Sequence, residues 1–380
     1  MTPNEILDLL FSTLRTTGIW NFQFNIIVMW AIGSLFIWLA IAKKYEPLLL
    51  LPIGFGIFIV NFPLVPMMGY TEGHPHLLEF FYHYGLEWEI IPCVIFLGLG
   101  AMTDFGPLIA NPKTLIIGAG AQLGVFITFT GTVLAGFTLK EAASVGIIGG
   151  ADGPTTVYLT QHLAPQLLGP NALAAYSYMA MVPLLQPPIM RMMTNSKERV
   201  IKMRQLRTVS RQEKMLFPMI TAGIVALLVP SVIPLMGMFM LGNLMKESGV
   251  VARLTDTAQG SLMNIVTIFL GLSVGATMHA DKFLSWKPLF IFGLGLVDFG
   301  VCTVGGILTV KIMNLFLKEK INPLIGAAGV SAVPMASRVV QMEGLRYDKS
   351  NHMLMHAVGP NLAGVIGSAA AAGMFIAMFD

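Results

Sequence analysis

The segment Gly149-Gly150-Ala151-Asp152-Gly153-Pro154-Thr155 places a carboxylate between glycines and a proline, inside an apolar run covering residues 142–161. An ionised carboxylate at bilayer depth costs at least ~2.5–3.5 kcal/mol, so it needs a partner. Glycine and proline interrupt a helix and free backbone carbonyls that can ligate a cation. A carboxylate beside loose carbonyls, away from water, has the chemistry of a cation site. The alternative is a kinked helix with a neutral, hydrogen-bonded Asp152. A second interrupted segment, NPLIGAAGVSAVPMASR (322–338), supplies Asn322 and Ser331. Their side chains are hard oxygen donors suited to a small alkali cation, as are carbonyls freed by Pro323 and Pro334. Arg338 ends this segment. Its guanidinium suits a planar carboxylate through two parallel hydrogen bonds, and snorkelling to headgroups is the competing use.

These groups need a membrane scaffold, and composition supplies one. Of 380 residues, 55% are hydrophobic and 11% charged, against about 25% charged in soluble domains. The expected fold is an all-α polytopic membrane protein. Eleven membrane segments are read at 23–42, 46–64, 89–102, 114–137, 142–161, 171–190, 215–236, 260–279, 287–310, 321–341 and 352–376. Stretches 76–88 and 236–250 read as too short to span. Residues 5–16 read as a short amphipathic interfacial helix rather than a signal peptide. Cys93 and Cys302 lie in apolar runs and read as packing residues. No segment is long enough for a separate soluble catalytic domain, and nothing suggests nucleic-acid binding.

The chain also repeats itself. IFLGL at 95–99 recurs at 268–272, GADGP ending at Pro154 matches VSAVP ending at Pro334, and Pro183 matches Pro360. The order of landmarks is kept. The expected organisation is an N-terminal helix and first span (1–44), a first repeat (45–190), a basic loop (191–214) and a second repeat (215–380). Five segments per repeat would invert the second copy. Inverted repeats with broken helices at matching positions are a transporter signature. Asp152, Asn322 and Ser331 are therefore expected to meet near the pseudo-two-fold axis. The loop 191–214 carries eight Lys and Arg against two Glu, which makes it cytoplasmic by the positive-inside rule. Eleven spans then put the N-terminus inside and the C-terminus outside, with fifteen of the 23 basic residues inside. The Lys43-Lys44 pair falls on the wrong side of that scheme. The basic loop serves either as a topology anchor alone or also as a docking surface for a soluble partner.

At this point a family resemblance becomes specific. The segments GAMTDFGPLIANPKTL (100–115), GIIGGADGPT (146–155), AAYSYMAMVPLLQPPIM (174–190), GNLMKESGVVARL (242–254) and NPLIGAAGVSAVPMASRVV (322–340) resemble the β subunit of the sodium-pumping biotin-dependent decarboxylases. That family handles oxaloacetate, methylmalonyl-CoA, glutaconyl-CoA and malonate. The resemblance implies a bacterial inner-membrane protein that decarboxylates carboxybiotin, consumes a proton and exports Na+ as a translocase. Biotin would arrive on a partner carrier subunit, loaded by a carboxyltransferase subunit. A small membrane-anchoring subunit and several copies of this chain are also implied. Residue by residue, it implies Na+ contacts at Asp152, Asn322, Gly326, Ser331 and Tyr178. It implies Arg338 at the carboxybiotin carboxylate, and Tyr178 as ligand or proton relay. Without the resemblance Tyr178 would read as a core tyrosine. Asp298, mid-segment near the repeat position of Gln122, is not associated with the family pattern. It reads as an extra proton or cation group, or as a neutral acid bonded to a facing helix. His356 reads as packing or a hydrogen bond. The competing class is a free-standing cation-coupled carrier without decarboxylase partners.

Overall fold

The computed structural model describes residues 12–18, 20–64 and 67–380. Residues 12–15 are helical, and the first part of the expected 5–16 helix lies outside the described residues. Thirteen helices carry the argument: α1 (Phe24–Ala42), α2 (Pro47–Val60), α3 (Ile90–Met102), α4 (Thr114–Leu134), α5 (Leu139–Gly146), α6 (Gly153–Leu163), α7 (Leu168–Met193), α8 (Arg211–Leu228), α9 (Ile233–Ser248), α10 (Ala252–Ala276), α11 (Trp286–Phe316), α12 (Met335–Leu345) and α13 (Leu354–Phe379). Among the described residues the β structure is one two-residue pair, Tyr70–Thr71 with His74–Pro75. The fold is all-α. Among the described residues five helices are long and apolar enough to cross a membrane, and six if the bent pair Leu77–Glu87 and Ile90–Met102 forms one span.

Polar contacts define two faces. On the basic face Lys214 meets Asp104 at 2.8 Å, joining the start of α8 to the end of α3. Lys311 near the end of α11 meets Glu198 at 3.2 Å. Lys246 near the end of α9 donates to the carbonyl of Thr103 at 2.9 Å. On the opposite face Lys287 meets Glu141 at 2.6 Å, joining the starts of α11 and α5. His162 meets Glu89 at 2.7 Å, joining the end of α6 to the start of α3. Asp380, after α13, meets Lys140 at 3.9 Å.

Tracing the chain between these faces corrects the segment count. The stretch 142–161 does not traverse. Its two sides, α5 and α6, both end at the opposite face, where capping of α5 by Thr138 and Glu141 fixes its start. The stretch 321–341 does not traverse either. Asn322 donates to the carbonyls of Arg199 and Ile201, and Glu343 at the end of α12 pairs with Arg191, so both ends lie at the basic face. Each is a hairpin that enters and returns. Conversely, 236–250 belongs to α9, which packs along α3 and runs from face to face.

The sidedness expectation changes with the count. The first end of α1 lies at the opposite face, beside a cavity lined by Gln23, Asn61 and His279. The N-terminal side therefore does not share a face with loop 191–214, and α1 ends with Lys43 and Lys44 on the basic face. Leaving Lys282 aside, all but three of the other 22 Lys and Arg lie on the basic face, the three being Arg15, Lys140 and Lys287. The pair that contradicted the sequence scheme now agrees with the rest.

At the centre α4 packs on α11, α13 on α4 and α7 on α11. Small residues allow close approach there. A Cβ added at Gly305 would lie 2.7 Å from the carbonyl oxygen of Gly120. Dense small-residue crossings of this kind hold helices together where lipid supplies no hydrophobic drive. The two hairpins fill the space around this crossing, each contacting both α4 and α11.

Candidate cation site at the hairpin tips

The first hairpin narrows from α5 into a 3-10 turn, Ile147–Gly150, and then reverses at Ala151, which takes a left-handed φ of 50°. That reversal puts Asp152 in extended geometry at the cap of α6. Asp152 is 4% exposed. Its Oδ1 accepts from the backbone N–H of Thr155 at 3.2 Å, and its Oδ2 accepts from Ser368 Oγ of α13 at 2.6 Å. The second hairpin arrives from the other face. The backbone N–H of Ser331 donates to the carbonyl of Gly150 at 2.8 Å, so the tips are joined directly. Ser331 Oγ accepts from Gln122 Nε2 of α4 at 3.2 Å.

A cavity of about 30 Å³ lies between the tips, lined by Asp152, Ser331, Thr103 and Met179 among others. That is room for one ion or a water. Three buried oxygens nearby have no protein partner: Gln122 Oε1, Thr155 Oγ1 and Tyr176 Oη. Thr155 shares the turn of Asp152, the ring of Tyr176 backs Gly153, and Gln122 Oε1 faces Gly150. Buried oxygens without donors are groups that a cation satisfies. Among the described residues no three His, Cys, Asp or Glu cluster. One carboxylate with neutral oxygens is a hard-donor set, unlike the nitrogen and thiolate sets that select transition metals.

The expected site residues are brought together only in part. Asp152 and Ser331 meet. Asn322 sits at the foot of its hairpin, with its Nδ2 committed to the carbonyls of Arg199 and Ile201 and its Oδ1 accepting from Leu324 N. The 3-10 stretch Pro323–Gly329 separates it from Ser331, about 14 Å at ~2 Å rise per residue. Gly326 serves the crossing with α11: a Cβ there would lie 2.6 Å from the carbonyl carbon of Gly306. Tyr178 turns away from the cavity and donates its hydroxyl to the carbonyl of Phe292 on α11. Arg338 is exposed on α12, near the basic face. Its charge acts on half-buried Glu46 at the start of α2, whose carboxyl is raised by burial and held back by that guanidinium. Sequence reasoning missed Ser368 and Gln122. Ser368 stands in GSAAAAG, which reads as helix packing, and its only signal is being a hydroxyl in an apolar stripe.

Comparison with known proteins decides the class. Residues 25–379 match the family described as the Na+-transporting oxaloacetate decarboxylase beta subunit. The chain belongs to this family. It is 51% identical to the methylmalonyl-CoA decarboxylase subunit beta of Propionigenium modestum, over 98% of this chain and 100% of the relative. It is 50% identical to the oxaloacetate decarboxylase beta chain 2 of Salmonella typhi, covering 97% and 99%. It is 53% identical to the glutaconyl-CoA decarboxylase subunit beta of Acidaminococcus fermentans, covering 97% of each. Membership in this family of sodium-transporting decarboxylase β subunits favours the decarboxylase reading over a free-standing carrier.

Three expected outcomes follow from the hairpin geometry of this β subunit. Ser368→Ala and Ser331→Ala each remove one neutral oxygen, worth about 1 kcal/mol, and should raise the Na+ concentration needed for half-maximal activity roughly fivefold. Asn322→Ala should instead lower thermal stability by about 3 kcal/mol for three lost hydrogen bonds, with Na+ affinity nearly unchanged. Sodium titrations paired with melting curves would separate the two effects. Asn322→Ala with intact stability and a large affinity loss would reinstate Asn322 as a ligand. Gly326→Ala sets a methyl against rigid backbone, and should destabilise by about 1–3 kcal/mol, read as a lower melting temperature in detergent.

Proposed function

We propose that this chain is the membrane subunit of a biotin-dependent decarboxylase complex. It releases as CO2 the carboxyl group carried on biotin, with uptake of one proton, and couples the release to export of Na+. The meeting of two hairpins from opposite faces at Asp152 is the observation that carries the reading. A site between such tips can be opened to one side by withdrawing either hairpin, which is what alternating access requires. The reciprocal packing of α4, α7, α11 and α13 supports two inverted repeats, with ten face-to-face crossings and two hairpins in place of eleven spans. The excess of Lys and Arg on the face of loop 191–214 supports a cytoplasmic location for that face. The start of α1 and the end of α13 then lie outside, in a bacterial cytoplasmic membrane.

In this arrangement Asp152, Ser331, Ser368 and Gln122 hold Na+, and Arg338 on the cytoplasmic face receives the carboxylate of carboxybiotin. Asn322 and Gly326 position the second hairpin, and Tyr178 ties α7 to α11. The relatives' names differ in the acid decarboxylated, which supports a choice of acid made by a carboxyltransferase partner. A biotin carrier subunit, a small membrane-anchoring subunit and further copies of this chain complete the proposed assembly. The test is the purified complex in sealed liposomes. Adding substrate should drive radiolabelled Na+ into inverted vesicles in step with CO2 release. Release of CO2 by the β subunit without any Na+ movement would sink the coupling.

A further inference from the structure

A second carboxylate touches the first hairpin, on the side away from the cavity. Asp298 lies twelve residues into α11, about 18 Å from its start at the opposite face at 1.5 Å per residue, and is 0% exposed. Its carboxyl group lies against the backbone of Gly149, so that any Cβ at position 149 would overlap it. The absence of a side chain at Gly149 is what makes its place. The backbone N–H of Gly149, the hydroxyl of Thr128 on α4 and the thiol of Cys302 face it. The Cys302 Sγ lies 3.6 Å from Oδ1. Oδ2 is buried and makes no hydrogen bond of good geometry.

We infer that Asp298 is a proton-binding site of this protein, separate from the cation site at Asp152 and joined to it through the tip residues 149–152. A buried polar atom without a partner marks a site that something else satisfies. The surroundings select a proton over a metal ion. The Thr128 hydroxyl and the Cys302 thiol can turn to donate to a carboxylate or to accept from a carboxylic acid, and together they supply too few oxygens to surround a cation. The close backbone of Gly149 covers one face, where further oxygen ligands would have to stand. A proton needs no such shell: the group only passes between the carboxylic acid and the carboxylate plus a free proton. The titratable groups of the packed elements are few. Tyr178 on α7 and Cys302 on α11 itself are nearest, Asp152 lies beyond the tip, and Glu141 of α5 is paired with Lys287 at the face. The segments 114–134, 147–150 and 323–329 that pack around it contain no ionisable side chain.

The mechanical consequence is a linkage between proton and cation. Withdrawal of the hairpin moves Gly149 off Asp298 and carries Asp152 away from Ser331 in the same motion. A neutral Asp298 tolerates the dry contact with Gly149, whereas an ionised one favours its release into a wetter setting. Only the use of the proton, to protonate biotin as its carboxyl group leaves, rests on the reading given above; its binding does not.

The experiment is infrared difference spectroscopy of the purified complex between mildly acidic and alkaline buffer, with Na+ absent. A band of a protonated buried carboxyl should be present in wild type, lost in Asp298→Asn and retained in Asp152→Asn. Gly149→Ala, which keeps Asp298 but displaces it, should shift that band. Equilibrium binding of radiolabelled Na+ should give the same number of ions per chain in Asp298→Asn as in wild type. Persistence of the band in a folded Asp298→Asn protein, or loss of one Na+ per chain, overturns the assignment, the latter in favour of a second cation site. If instead the band behaves as expected while no Na+ is pumped, the proton site stands and the transport reading fails.

Discussion

Asp152→Asn is expected to abolish Na+ transport and Na+-stimulated decarboxylation while the protein still folds and inserts. The replacement keeps size and hydrogen-bonding shape. Its amide oxygen can still accept from Thr155 N–H, while its NH2 can donate to Ser368 Oγ, the second partner of the present carboxylate. What disappears is the only negative charge lining the cavity between the tips. A dehydrated monovalent ion in a nearly dry site needs that charge, since neutral dipoles alone leave several kcal/mol of desolvation uncompensated. At 1.4 kcal/mol per tenfold, Na+ affinity should fall at least about a hundredfold. Sodium binding to the purified variant, with its melting temperature as a control for folding, measures this directly. Unchanged Na+ dependence in a folded Asp152→Asn protein would remove Asp152 from the site.

The same tip shows what the sequence makes legible. Glycines and prolines around Asp152 and Ser331 mark both chain breaks, because no continuous helix accommodates them. The repeat alignment set Ser331 beside Asp152, and the backbone bond from Ser331 to Gly150 joins them. Asn322 belongs to the same motif but to the foot of the hairpin. A run of apolar residues with a polar one at each end looks alike whether it crosses or returns, so text alone does not separate foot from tip. The same ambiguity made two hairpins read as spans. It also hid α9, whose start follows the 3-10 turn at Pro230. Such ambiguities compound through parity: each stretch that returns instead of crossing changes whether the start of α1 shares a face with the basic loop. Ser368 and Gln122 escaped because one polar side chain in a small-residue helix carries no directional signal until the partner helix is placed.

Arg338→Lys is expected to impair decarboxylation of carboxybiotin, free or carrier-bound, by at least tenfold while leaving Na+ binding measured without biotin intact. Lysine keeps the positive charge but loses the planar fork that holds a carboxylate through two bonds. Losing one charge-assisted bond costs about 1.5–3 kcal/mol, which is ten- to a hundredfold at 1.4 kcal/mol per tenfold. Arg338 is suited to this duty by position. It is exposed on α12, five residues before Glu343, which Arg191 anchors at 2.6 Å. That offset is about 7.5 Å of helix, so the guanidinium stands just inside the basic face, where a soluble carrier can present its group. Half-buried Glu46 is the carboxylate that already feels this guanidinium, and on the proposed reading an incoming substrate carboxylate would compete with it for the same charge. Because Arg338 and Ser331 share one hairpin, substrate drawn to Arg338 pulls on the element that completes the ion site. The decisive comparison is between the two readouts in one variant. Loss of Na+ binding ahead of decarboxylation, or labelling of a cysteine at position 338 only from the face opposite the basic loop, would overturn the assignment of Arg338 to carboxybiotin.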